Sequence, residues 1–257
     1  MSVILRDLPS SRYITKLNGT AIDRFPHKVW ISFFIGEGLN LLPTIHNGET
    51  QMSTITDKVA NALYLSGCLR FGSFKIKSGA TSPYYIDLAR VLAVPQQLDV
   101  IVEVAAQKIR QISATYPINK LSSIELKGAL ILPSIAIKLN LPCVIVRKED
   151  KAYGVTGRTA GADVTKGDNI LFFDDVISEG LSKIEGVKPL QELGATVKHI
   201  LVVVNREHGG KEALEKLGYQ VHALAKITDL VASLKVNKHI SKEQADSVLD
   251  YVSHVKS

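Results

Sequence analysis

The sequence predicts an α/β fold, a mainly parallel twisted sheet flanked by helices. Three observations predict it. From residue 53 onward, strand-like and helix-like patterns alternate, the order that builds βαβ units. Two strand candidates, the apolar run Ile170–Phe173 and the long β-branched stretch Val197–Val204, suit strands buried within a sheet. Of the 257 residues, 46% are hydrophobic, ample for a packed core, while the charged fraction of 22% is too ordinary for global disorder.

The elements follow in order. Ser53 or Thr54 can cap a helix over 54–66, with Val59 and Leu63 on its apolar side. Leu69–Ile76 and Tyr84–Leu88 have strand character. Pro95 suits the first turn of a long helix running to about Thr115. Ser123–Leu126 is a short strand, Ala129–Leu139 an apolar helix and Cys143–Val146 a strand. A polar stretch rich in Gly and Thr, Gly154–Gly161, is expected as a loop. After strand Ile170–Phe173 comes a helix over about Ser182–Leu193. Strand Val197–Val204 leads into Asn205-Arg206-Glu207. Helix Lys211–Leu217 stops at Gly218, and a last strand lies around Val221–Leu224. Helices near 227–234 and 241–253 close the chain.

Residues 1–52 read differently. They show no sustained period and mix Pro, Gly, Asn and aromatics. Two interpretations stand: an extension that is not part of the native protein, with Met52 as initiator, or a small element packed on the domain 53–257. Val29–Ile45 is apolar, but Glu37, Asn40 and two glycines interrupt it, so no membrane span is expected.

The chemistry concentrates at Ile170–Ser182. Four apolar residues run into Asp174 and Asp175. A short loop, Ser178-Glu179-Gly180-Leu181-Ser182, then opens a helix. Ligands of open α/β sheets bind beyond the carboxyl ends of strands. Backbone N–H groups and hydroxyls at a helix start suit a phosphate. The two carboxylates suit what lies beside it, ribose hydroxyls or a hydrated magnesium ion. Helix capping is the plainer alternative for such a pair.

Four further groups add cations and aromatic faces. Lys77 precedes a glycine turn, and Tyr84-Tyr85 follow Pro83, a set that suits a flat anionic ring. Arg147, Lys148 and Lys151 leave a buried strand and could neutralise a pyrophosphate, or form a solvated surface. Lys127-Gly128 follows a strand, where glycine permits close backbone approach. Arg206 stands past a buried strand end, placed to clamp a carboxylate. His208 has no partner at metal spacing and is expected to be structural or exposed.

The formal charge of +6 favours anionic partners. No block of Lys and Arg interleaved with aromatics points to nucleic acid. The two cysteines, Cys68 and Cys143, lack metal-ligand spacing and suit reduced thiols in the cytoplasm.

Together and in this order, these groups resemble the orotate phosphoribosyltransferase family, over roughly Thr54 to Val255. The resemblance implies a type I phosphoribosyltransferase fold with a small hood subdomain. It implies transfer of ribose 5-phosphate from phosphoribosyl diphosphate (PRPP) to orotate in pyrimidine synthesis, with Mg2+. It also implies a homodimer in which the Arg147–Gly161 loop reaches the neighbouring site. By the same resemblance, Lys77, Tyr84 and Tyr85 serve the base pocket and PRPP, and Lys127 the pyrophosphate. Arg147, Lys148, Lys151 and Tyr153 belong to the loop, with Lys151 the foremost catalytic candidate. Asp174 and Asp175 hold the ribose, directly or through a water on Mg2+. Residues 178–182 cradle the 5-phosphate, and Arg206 binds the orotate carboxylate. On length, no decarboxylase domain is expected beside the domain 53–257. Three positions depart from the family: Tyr153 for a common His, Asn205 for Asp, and Glu179 for a small or hydroxyl residue. Transfer to another base, and a non-catalytic PRPP-binding regulator, are the alternatives.

Overall fold

The structure is a computed structural model that describes residues 54–76, 79–151 and 157–256, all within the unit Ser53–Ser257. The expected extension 1–52, Lys77 and Tyr153 lie outside the described residues, as does the side chain of Lys151.

Helix α1 (Ile55–Leu65) starts at Thr54, whose hydroxyl accepts the Asp57 N–H at 3.1 Å while the Asp57 carboxylate accepts the Thr54 N–H at 3.0 Å. Strands β1 (Leu69–Lys75) and β2 (Thr81–Ile86) form a separate antiparallel pair, the hood. A 3-10 turn (Leu88–Ala93) leads to α2 (Pro95–Ser113), with Pro95 in its first turn. Next come β3 (Lys120–Ile124), α3 (Lys127–Leu139), β4 (Cys143–Lys151), β5 (Gly157–Gly161) and β6 (Ile170–Ile177). The chain continues through α4 (Leu181–Glu192), β7 (His199–Asn205), α5 (Gly210–Lys216), β8 (Gln220–Lys226), α6 (Ile227–Val236) and α7 (Lys242–Lys256).

The main sheet has six strands in the order β5-β4-β3-β6-β7-β8. All neighbours pair in parallel except β5, which runs antiparallel along the edge of β4. Side-chain alternation along β6 and β7 feeds two cores. Leu171, Phe173, Leu201 and Val203 pack with α1, α2, α3, α6 and α7. Ile170, Phe172, Ile200 and Val202 pack with Val187 and Leu190 of α4 and Leu214 of α5. This is the expected fold class, with helices on both faces of a mostly parallel sheet.

Among the element boundaries that differ from expectation, three stand out. The second hood strand is Thr81–Ile86, not Tyr84–Leu88; a two-stranded pair has open edges that tolerate Pro83. Strand β3 lies at Lys120–Ile124, earlier than Ser123–Leu126. Its Ser122 and Ser123 are fully buried, and the Ser122 hydroxyl donates to the Val144 carbonyl at 2.9 Å. Last, Gly157–Gly161 is a strand rather than loop. It pairs backbone to backbone with β4, a contact that demands no apolar side chains. Among the described residues, no helix is long and apolar enough to cross a membrane.

Candidate functional site

Strands β3, β6 and β7 end on the same edge of the sheet, and Lys127, Asp174, Asp175, the 178–182 loop and Arg206 lie at those ends. Strand β6 extends through the acidic pair to Ile177, so Asp174 and Asp175 are strand residues with opposite facings. Asp174 is buried against α4. Its Oδ2 lies 2.7 Å from the Lys183 ammonium, and its Oδ1 accepts the Asp175 N–H at 2.8 Å. Asp175 is partly open and turned the other way. Burial, then the charge of Asp174, pushes its carboxyl up to about 6, against the pull of Lys183 and Lys127.

Lys127 opens α3 and pairs with Asp87, at the end of the hood hairpin, at 3.1 Å. Burial alone would lower the Lys127 pKa, but Asp87 and the charge of Asp175 more than offset it and raise it. Next to it, Gly128 has no room for a side chain. A Cβ there would sit 2.5 Å from Ser123 Oγ, 2.6 Å from Asp174 Oδ1 and 2.8 Å from Asp174 Cα. The glycine lets the start of α3 press onto the acidic strand end.

The loop after β6 turns at Gly180, whose φ of 90° is the left-handed region. Gly210 packs onto it: its N–H donates to the Ser178 carbonyl at 2.8 Å, and a Cβ at 210 would meet that oxygen at 2.3 Å. Ser182 and Leu181 are exposed. Glu179 is exposed as well, so its carboxylate faces solvent and the loop is built of backbone at that position.

Arg206 comes to the same place from β7. Its Nε donates to the Tyr84 hydroxyl at 3.1 Å, one terminal nitrogen donates to Ser178 Oγ at 3.4 Å, and the guanidinium lies 5.0 Å from the Tyr84 ring centre. Asn205 shapes this turn by accepting the Glu207 N–H at 2.8 Å on its side chain. His208 is partly buried, 3.4 Å from the Tyr84 hydroxyl and edge-on to Tyr251 of α7. Burial, then the Arg206 charge, lowers its pKa to about 4.

Two of the expected contact residues are engaged within the protein. Tyr84 is fully buried. Period-two alternation turns it inward to hold Arg206 and leaves Tyr85 outside, beside Arg70 and Phe74. Arg147 directs its guanidinium into its own hairpin, donating to the carbonyls of Gly157 at 2.9 Å and Thr159 at 3.2 Å. Its neighbour Lys148 is exposed, with its N–H on Glu125 Oε1 at 2.7 Å. Lys183, Asp87 and Gly210 carry no motif in the sequence; the one signal is Lys183 at the spacing of Val187 and Leu190 on the apolar side of α4.

The chain is similar to known proteins over most of its length. It is 35% identical over 182 residues to the orotate phosphoribosyltransferase of Pyrococcus horikoshii, covering 71% of this chain and 96% of the relative. It is 31% identical over 181 residues to that of Methanosarcina acetivorans, covering 70% and 94%. Among solved structures, UMP synthase of Leishmania donovani superposes with a TM-score of 0.69 at 30% identity. That match covers 77% of this chain but only 42% of the UMP synthase. The orotate phosphoribosyltransferase of Aeropyrum pernix superposes at 0.60 with 26% identity, over 71% and 99%. No protein-family model matches the chain.

Proposed function

The chain belongs to the orotate phosphoribosyltransferase family, and we propose that it acts through the cleft at the carboxyl ends of β6 and β7. It transfers ribose 5-phosphate from PRPP to N1 of orotate, giving orotidine 5′-monophosphate and pyrophosphate in pyrimidine synthesis. One observation carries this reading: Arg206 and the loop that follows the acidic pair meet at one sheet edge, joined through Ser178.

In the transfer, the bond from ribose C1 to the pyrophosphate oxygen loosens, the sugar gains oxocarbenium character, and orotate N1 closes on C1. Negative charge grows on the departing pyrophosphate. Lys127, with Lys148 and Lys151 of the β4–β5 hairpin, are the cations assigned to it. Arg147 holds the hairpin in shape. Asp175 takes the ribose diol, and residues 178–182 take the 5-phosphate through N–H groups and the hydroxyls of Ser178 and Ser182. Arg206 meets the orotate carboxylate with its remaining N–H groups. Tyr85 and, by family likeness, Lys77 and Tyr153 complete the contacts.

Magnesium fits this donor set. A partly open Asp175 carboxylate, beside the charge of Asp174, suits a hydrated ion held through water. When bound, it supplies positive charge beside the pyrophosphate.

The working unit is a homodimer in which the 147–161 segment serves the neighbouring site. Support comes from α3 and the residue before it, where Leu126, Leu130 and Ile137 are 62%, 37% and 82% exposed along one helical stripe. Two free cysteines suit the reducing cytoplasm.

The test follows orotate absorbance with PRPP and Mg2+. Loss that requires both substrates, in a protein that sediments as a dimer, is the expected result, with uracil and adenine inert as acceptors. PRPP binding by calorimetry without orotidylate would make the chain a regulator instead, and an active monomer would remove the shared loop.

A further inference from the structure

Lys183 is 3% exposed, the most buried charged residue among those described. It occupies the third position of α4, on the side that buries Val187 and Leu190, where an apolar residue would normally pack. An ammonium has three protons to donate, and here three acceptors take them. They are Asp174 Oδ2 at 2.7 Å, Ser182 Oγ at 3.2 Å and the Val176 carbonyl. All three belong to the strand end and loop that frame the sugar-phosphate site. Asp174 is fixed from its other side too, by the Asp175 N–H and by the close approach of Gly128.

We propose that the acidic pair divides its labour: Lys183 is a positioning residue that pins Asp174 and the 178–182 loop, and Asp175 alone meets the ribose diol. The proposal rests on the PRPP reading above. Its physical basis is that a buried ammonium sharing three oxygens across nine residues links strand, loop and helix into one rigid cradle. A cradle already in shape loses less freedom when the sugar phosphate arrives.

The experiment measures ribose 5-phosphate and PRPP affinity by calorimetry, and orotate KM at saturating PRPP, for the wild type, Asp174→Asn, Lys183→Met and the double variant. Lys183→Met is expected to weaken ribose 5-phosphate binding at least tenfold, with orotate KM changed less than twofold. Adding Asp174→Asn to it is expected to cost no more than a further twofold, because Asp174 acts through Lys183. The proposal is overturned if Lys183→Met binds within threefold of the wild type. It is also overturned if the double variant carries the full Asp174→Asn loss on top of the Lys183→Met loss. Should Lys183→Met not fold, the charge-neutral double variant decides: a tenfold loss against the wild type with orotate KM intact supports the cradle, and binding within threefold removes it. A wild type that neither binds PRPP nor forms orotidylate would sink the function instead.

Discussion

Tyr84 shows how a buried side chain can hold a charged one in place. Its ring is fully buried, and its hydroxyl accepts the Arg206 Nε–H at 3.1 Å. Burial raises its pKa while the Arg206 charge opposes that rise, so the phenol stays neutral and able to accept. A guanidinium held by Tyr84 and Ser178 has little rotamer freedom left to lose when a carboxylate arrives. Tyr84→Phe keeps the packing and deletes the hydroxyl. Losing a hydrogen bond to a charged group is worth about 1.5 kcal/mol, or roughly tenfold. We expect orotate KM to rise by about that factor with PRPP affinity unchanged; an unaltered orotate KM in the folded variant would detach Tyr84 from the role. The Tyr-Tyr pair is plain in the sequence, but which ring turns inward depends on hairpin register.

At the level of elements, the contact of α3 with β6 sets the depth of the site. Gly128→Ala would place a methyl within 2.8 Å of two Asp174 atoms and of Ser123 Oγ, one of them backbone. The helix start would have to lift. Overpacking of this kind costs about 1–3 kcal/mol, which for a domain of this size lowers Tm by roughly 2–10 °C. A melt within about 1 °C of the wild type would show that α3 has slack there. The β4–β5 hairpin teaches the opposite lesson about legibility. Gly157–Gly161 carries no apolar alternation, so nothing in its residue types marks a strand. Pairing with β4 makes it one, and Arg158 adds donation to the Arg147 carbonyl at 3.2 and 3.3 Å.

Across the whole molecule, two partly buried histidines tie stability to pH. His208 beside Arg206 and His222 beside His199 are each lowered to about 4, chiefly by burial. Both folded-state values lie below the unfolded value near 6.5, so the unfolded chain binds more protons between those limits. Their stabilisation is therefore complete above about pH 6.5 and is lost as pH falls toward 4. Solvent screening of half-open rings trims the total to on the order of 1–2 kcal/mol. Asp168, lowered to about 2 first by Lys120, acts in a separate window below its ordinary value of 3.8. Thermal melts should hold Tm level from pH 7.5 to about 6.5 and show it falling from there to pH 5. A flat profile over that range would mean that both rings take up protons freely in the folded state.

The order of strands and helices, the two-faced burial of β6 and β7, and the placing of Asp174, Asp175 and Arg206 just past apolar runs could all be read from residue order. They depend on local periodicity, which a chain carries along its length. The inward turn of Tyr84, the burial of Lys183 against Asp174 and the engagement of Arg147 within its hairpin could not. Each is a contact between atoms distant in the chain or across a strand pair, and such contacts exist only after register and helix packing have chosen which side of each backbone faces which neighbour.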